Sequence, residues 1–255
     1  MSSNFQHKIP FSISSKGRLL ENSDIIENLK KVENENIKRP EEIISDISIL
    51  ILAAGNSSRL GQPKQLVNFG GKPLICHIIE QALFVKMRSV FVVLGGNKSL
   101  ILPKITHLPV TIVDNENWAK GMGSSIATGL KAIQEQNPET TGIVTLLCDQ
   151  PFVSADLIHQ IIQKQEETQA AIVASSYSGN AGVPAFFSQS IFKELLNLSE
   201  KGGARKIIRQ HLSEIECVSF SEGIFDIDTP EDLNRIQEWS KILQKKNTAP
   251  FEDWD

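Results

Sequence analysis

Arg59 and Lys64 follow closely on a run of small residues, Ala53-Ala54-Gly55, which itself ends an apolar stretch, Ile47-Ser48-Ile49-Leu50-Ile51-Leu52. Small side chains leave the backbone open to a large ligand, and Gly55 can take φ values that other residues avoid. Open backbone N–H groups beside two cations make a cradle for a polyphosphate. The loop is not a P-loop, because no Gly-Lys-Ser/Thr opens the next helix. Nor does it carry the Gly-x-Gly-x-x-Gly spacing of a dinucleotide fold. Its plainest alternative is an uncharged turn after a strand.

A second group ends another apolar run, Thr145-Leu146-Leu147-Cys148-Asp149-Gln150-Pro151. A carboxylate at a strand's end suits a hard cation such as Mg²⁺, which takes one or two carboxylates and completes its shell with phosphate oxygens and water. The competing role is a helix cap, but Ser154 is the better N-cap. In Phe225-Asp226-Ile227-Asp228-Thr229-Pro230-Glu231-Asp232, Thr229 and Pro230 read as the cap and first residue of a helix. Asp226 and Asp228 lie ahead of that cap. Either one can face Asp149 across a metal, or simply favour the helix start.

Further donors stand in Asn117-Trp118-Ala119-Lys120-Gly121-Met122-Gly123-Ser124-Ser125. Gly121, Ser124 and Ser125 offer N–H and hydroxyl groups where a helix opens, as a third wall of a nucleotide site. Trp118 either borders that loop or packs on the sheet, the second being the simpler reading. Ser178-Gly179-Asn180-Ala181-Gly182-Val183-Pro184 reads as a turn entering a strand. Lys201-Gly202-Gly203-Ala204-Arg205 puts Arg205 at a helix start, near a phosphorylated acceptor or in solvent. His7, His77, His107, His159 and His211 have no ligand-like spacing, and no Ser–His–Asp or Cys–His arrangement is present.

The elements that must position these residues alternate. Strands are expected over 47–53, 90–95, 109–114, 142–148, 170–176, 183–187 and 215–220. Helices are expected over 73–86, 97–103, 122–136, 153–166, 188–198, 203–211 and 229–244. Such alternation implies an α/β fold, a mainly parallel sheet with helices on both faces. Function in these sheets collects at the carboxyl ends of strands, where the distinctive residues fall.

The 255 residues suit one α/β domain, 46–245, with a polar extension over 1–45 and a C-terminal tail over 246–255. The extension shows a weak helical pattern at Ile25, Ile26, Leu29 and Val32, either a docking arm or a disordered leader. A net charge of −4 gives no general attraction to nucleic acid. No apolar run reaches the roughly 18 residues of a membrane span, and the N-terminus lacks the features of a signal peptide. Cys76, Cys148 and Cys217 are scattered and odd in number, against a disulfide framework. A cytoplasmic location is expected.

Taken together, these motifs resemble the MobA-like NTP transferases, nearest to the molybdenum cofactor cytidylyltransferases. The pattern Leu-x-Ala-Ala-Gly-x-Ser-x-Arg-x-Gly-x-x-Lys is met at Leu52, Ala53, Ala54, Gly55, Ser57, Arg59, Gly61 and Lys64. Cys-Asp-Gln-Pro stands at 148–151, Gly-Met-x-Ser-Ser at 121–125, Gly-Ala-Arg at 203–205 and Asp-Ile-Asp-Thr-Pro-Glu-Asp at 226–232. The resemblance covers about 47 to 245. It implies a GT-A-like, Rossmann-like sheet. It implies that Arg59 and Lys64 hold a nucleoside triphosphate, and that Asp149 with Asp226 or Asp228 binds Mg²⁺. Ala53-Ala54-Gly55 and Gln150 match the cytidylyl branch, guanylyl relatives tending to carry Ala-Gly-Gly. The stretch Gly179-Asn180-Ala181-Gly182-Val183-Pro184 departs from the Gly-Asn-Pro or Gly-His-Pro of cofactor enzymes.

The expected reaction is attack by an acceptor phosphate on the α-phosphorus of CTP, with release of pyrophosphate. The acceptor is expected to be the molybdopterin cofactor, with a molybdenum hydroxylase as a partner. A phosphate acceptor is already ionised, so catalysis rests on positioning and charge neutralisation. The alternatives are transfer to a sugar or polyol phosphate, and a non-catalytic carrier of the cofactor.

Overall fold

Strand β1, Ile47–Leu52, is buried along its whole length, and its side chains divide by parity between two cores. Ile47, Ile49 and Ile51 point into one, Leu50 and Leu52 into the other, as a period of two requires for a strand covered on both faces. A computed structural model describes residues 46–87, 89–199 and 202–236 of this chain. The expected N-terminal extension and C-terminal tail, together with Lys201, lie outside the described residues.

Strands β2 (Asn68–Phe69) and β3 (Lys72–Pro73) form a small separate hairpin through Gly70 and Gly71, both at positive φ. The main sheet adds β4 (Ser89–Leu94), β5 (Thr111–Asp114), β6 (Gly142–Leu147), β7 (Ile172–Tyr177), β8 (Asn180–Ser188) and β9 (Glu216–Ser219). Its order is β5-β4-β1-β6-β8-β7-β9. Only β8 runs against the others. The reversal follows from a tight turn at Ser178 and Gly179, φ 47° and 72°, which folds β8 straight back on β7. For that reason β8 begins at Asn180, three residues ahead of the expected strand at 183.

Helices α1 (Leu74–Phe84), α2 (Lys98–Ile105) and α4 (Ala155–Thr168) cover one face through Ile78, Ile79, Ile101, Ile105, Ile158 and Ile161. Helices α3 (Met122–Gln136), α5 (Phe192–Leu196) and α6 (Ala204–Gln210) cover the other through Ile126, Leu130, Ile133, Leu195 and Ile208. The expected helix at 188–198 is a 3-10 turn, Gln189–Ile191, leading into the short α5. A last helix, α7, is described over 230–236. Among the described residues no helix is long and apolar enough to cross a membrane.

β1, β4, β5 and β6 run parallel and end on the same edge. That edge carries Ala53-Ala54-Gly55, Gly95-Gly96, Asn115 and Asp149.

Candidate active site

The small residues after β1 are held open by a side chain. Gln65, 1 % exposed, donates from Nε2 to the carbonyls of Ala53 and Gly55, both at 2.8 Å. These bonds satisfy acceptors that no strand neighbour reaches and fix the loop's curvature. Ser57, at φ 59°, accepts the Lys64 N–H at 3.0 Å on its hydroxyl, which in turn donates to Gln65 Oε1 at 3.4 Å. Lys64 is thereby returned to the mouth of the loop, although several residues separate it from Gly55.

There Lys64 Nζ lies 2.5 Å from Asp149 Oδ2 and 3.2 Å from Asp228 Oδ1, while Arg59 Nη2 lies 2.8 Å from Asp228 Oδ2. Lys64 and Asp149 side chains are each 18 % exposed; that of Arg59 is 70 % exposed. Burial works to lower the Lys64 pKa, but the facing carboxylates of Asp149 and Asp228 outweigh it and raise the pKa above its usual value. Lys64 is therefore a fixed cation at any physiological pH.

The carboxylates arrive from distant parts of the chain. Asp149 stands two residues past β6. Asp226 and Asp228 flank Ile227, whose N–H donates to the Asp149 carbonyl at 2.9 Å, docking the segment against the end of β6. Edge-on packing of Phe225 on Phe152, centroids 5.6 Å apart, holds it from the other side. Asp149 Oδ1 and Asp226 Oδ1 are buried with no hydrogen-bond partner. Burial first, then the charges of Asp149 and Asp228, push the Asp226 carboxyl up to about 6, against the pull of Lys64 and Arg205. Two unpartnered carboxylate oxygens in one cluster form a donor set suited to a hard cation that takes few protein ligands. Among the described residues no three or more His, Cys, Asp or Glu side chains are grouped so as to hold a metal ion.

Beside this cluster opens a cleft of about 270 Å³ lined by Leu52, Ala53, Ala54, Gly55, Trp118 and Ser125, with Lys64 and Asp149 at its polar end. Trp118 both lines the cleft and packs on the sheet, joining the two readings of it. Its fit depends on Gly95, where an added Cβ would fall 2.5 Å from Trp118 Cβ and 2.8 Å from the Ala54 carbonyl. Gly121, at φ 124°, turns the chain into α3 and also lines the cleft. Arg59 and Ser57 border an adjoining hollow with Gly55 and Asp228.

Two expected ligand residues are engaged elsewhere. Ser124 donates to the carbonyls of Asn117 and Gly121 and accepts from Asn115, so it shapes the turn. Gln150 is 2 % exposed and off the cleft wall; its Nε2 donates to the Val183 carbonyl at 3.2 Å, tying the end of β6 to β8. Gln65 and Asn115 stand outside the site residues expected from the sequence. Asn115, 1 % exposed, donates to both Ser124 and Ser125 hydroxyls. Its position immediately after β5, at the functional edge, was the available signal.

Comparison with known proteins gives a concordant picture. The model of the MobA-like NTP transferase domain matches residues 49–215. A nicotine blue oxidoreductase of Paenarthrobacter nicotinovorans is 29 % identical over 73 % of this chain and 94 % of its own length. A molybdenum cofactor guanylyltransferase of Rhizobium rhizogenes is 25 % identical over 79 % of this chain and 95 % of its own. Among solved structures, Rv0371c from Mycobacterium tuberculosis is 26 % identical with a TM-score of 0.67, covering 76 % of this chain and 99 % of that one. The same protein in complex with manganese is 25 % identical with a TM-score of 0.62, over 75 % and 98 %. The fold is GT-A-like.

Proposed function

The chain belongs to the MobA-like NTP transferase family of nucleotidyltransferases, and from that premise we propose that it transfers CMP from CTP to a phosphorylated acceptor, the molybdopterin cofactor. The observation that carries the reading is the cluster at the polar end of the cleft. Lys64 and Arg59 stand against Asp149 and Asp228, with unpartnered oxygens on Asp149 and Asp226.

In this reading the cleft takes the nucleoside against Ala53-Ala54-Gly55 and Trp118, leaving the triphosphate over the loop. Lys64 and Arg59 exchange their carboxylate partners for phosphate oxygens and hold charge that grows as pyrophosphate departs. Asp149, with Asp226 or Asp228, would hold Mg²⁺, which when bound neutralises phosphate charge and orients the reacting oxygens. The manganese complex of the mycobacterial relative supports a divalent cation. The acceptor phosphate is anionic at neutral pH, so no side chain has to remove a proton.

Support for CTP rests on Ala54, a residue of the cleft wall. One relative is named a guanylyltransferase, so GTP is the competing nucleotide. Another is named an oxidoreductase, which makes redox turnover a competing outcome. The purified protein incubated with Mg²⁺, the cofactor and each nucleoside triphosphate in turn should release pyrophosphate with CTP. Release with GTP alone reassigns the nucleotide. Release only when a sugar or polyol phosphate replaces the cofactor reassigns the acceptor, and tight cofactor binding without release favours a carrier.

A further inference from the structure

Arg205 makes no ion pair at contact distance with a carboxylate among the described residues. Its one hydrogen bond there runs from Nη2 to the hydroxyl of Tyr177, at 3.0 Å. Tyr177 is the only tyrosine of the chain. It is 8 % exposed, donates to the Val183 carbonyl at 3.4 Å, and packs edge-on against Phe220. Two glycines make its slot. An added Cβ would lie 2.3 Å from the hydroxyl at Gly182 and 2.6 Å from the ring at Gly223. The phenol is thus locked in place and grips the guanidinium by one of its five N–H donors. A neutral partner fixes the direction of a cation and leaves its charge and remaining donors free.

The place of this pair in the sheet gives it a use. Asp149 stands two residues past β6, which lies between β1 on one side and β8 with β7 on the other. Arg59 and Lys64 come from the β1 side. Tyr177 ends β7, on the opposite side. Two residues ahead of Arg205, a Cβ at Gly203 would fall 2.9 Å from the sulfur of Met122, a residue of the cleft wall. The charge of Arg205 also acts on Asp226. Two cation groups therefore flank the carboxylate cluster, one ion-paired with it directly and one not.

We infer that Arg205, oriented by Tyr177, receives the phosphate of the second substrate on the side of Asp149 away from Lys64. This inference rests on the reading above that the second substrate is a phosphate ester. Arg205 is the binding residue; Tyr177 is a positioning residue that acts through it. A planar fork suits a phosphate better than an ammonium does, so lysine is a poor substitute.

The single tyrosine supplies a local probe. Protein labelled with 3-fluorotyrosine gives one ¹⁹F resonance, at the Arg205 contact. Titration with inorganic phosphate should shift it saturably in the unaltered chain and in Lys64→Ala, and not in Arg205→Ala. Loss of the shift in Lys64→Ala with retention in Arg205→Ala would put phosphate on the β1 side and overturn the assignment, as would no saturable shift at all. Steady-state kinetics add a second measurement. Tyr177→Phe keeps the ring and should raise the acceptor KM by roughly 10-fold, with kcat and the nucleotide KM changed less than about twofold. Equal rises in both KM values would make Tyr177 merely structural. If no triphosphate yields pyrophosphate, the transfer reading fails, while the fluorine titration still decides whether Arg205 binds phosphate.

Discussion

Lys64 and Asp149 meet at 2.5 Å, joining the loop that follows β1 to the loop that follows β6. Neither strand brings its side chain there unaided. Ser57 turns the loop back on itself, and Asp228 holds Lys64 from a third direction at 3.2 Å. If Lys64 exchanges this contact for phosphate, Lys64→Ala should lower kcat by on the order of 10²-fold with the far-UV circular dichroism unchanged. Turnover within a few-fold of the unaltered protein would remove Lys64 from the reaction.

Asp226 sets a pH dependence of stability. Its carboxyl is raised to about 6 from 3.8, by burial first and then by Asp149 and Asp228. The folded chain prefers the protonated form, so this group's contribution is fully present below 3.8 and is lost as pH rises through about 6. In metal-free buffer Asp226→Asn should therefore raise Tm above pH 6 and leave it unchanged near pH 3.5. Melting curves from pH 3.5 to 8 check this; a variant no more stable than the parent at pH 7.5 contradicts it.

Gly95 governs the width of the cleft. A methyl there meets Trp118 Cβ and the Ala54 carbonyl, neither of which can swing aside as a flexible chain end does. Gly95→Ala should raise the nucleotide KM by about 10-fold or more, a cost of roughly 1.4 kcal/mol in binding. An unchanged nucleotide KM would mean the nucleoside lies elsewhere.

Gln65→Ala strips two carbonyls, those of Ala53 and Gly55, of the donor they share. Leaving the buried Ala53 carbonyl unpaired should cost about 1–3 kcal/mol, read in a urea melt, while the Gly55 carbonyl keeps Asn97 Nδ2 at 3.4 Å. The loop should lose its shape as well, so nucleotide affinity falls even where the chain remains folded. A loss below about 0.5 kcal/mol would mean water replaces the amide.

The sequence was most informative where one physical signal dominated. Helix α3 was readable to the residue at Met122 and Gln136, because Ile126, Leu130 and Ile133 repeat at helical spacing after two glycines. The gathering of Ala53-Ala54-Gly55 and Asp149 at one edge follows from parallel strands. What could not be read was any relation made across the sheet by a single side chain. Gln65 looks like a surface glutamine until the loop closes over it. Tyr177 has no periodicity to announce its hold on Arg205, and Gln150 gave no sign that it turns inward toward Val183 rather than into the cleft. The reversal of β8 was hidden because Ser178 adopts a left-handed conformation that its residue type does not advertise.

Transfer of the α-phosphorus of CTP is the central step. Incubation of the protein with α-³²P-labelled CTP, Mg²⁺ and the molybdopterin cofactor tests it directly. The label should move into a cofactor–cytidine dinucleotide in one-to-one ratio with the pyrophosphate released, and fail to do so in Asp149→Ala. Label remaining in CTP, or appearing only as free CMP, would contradict it.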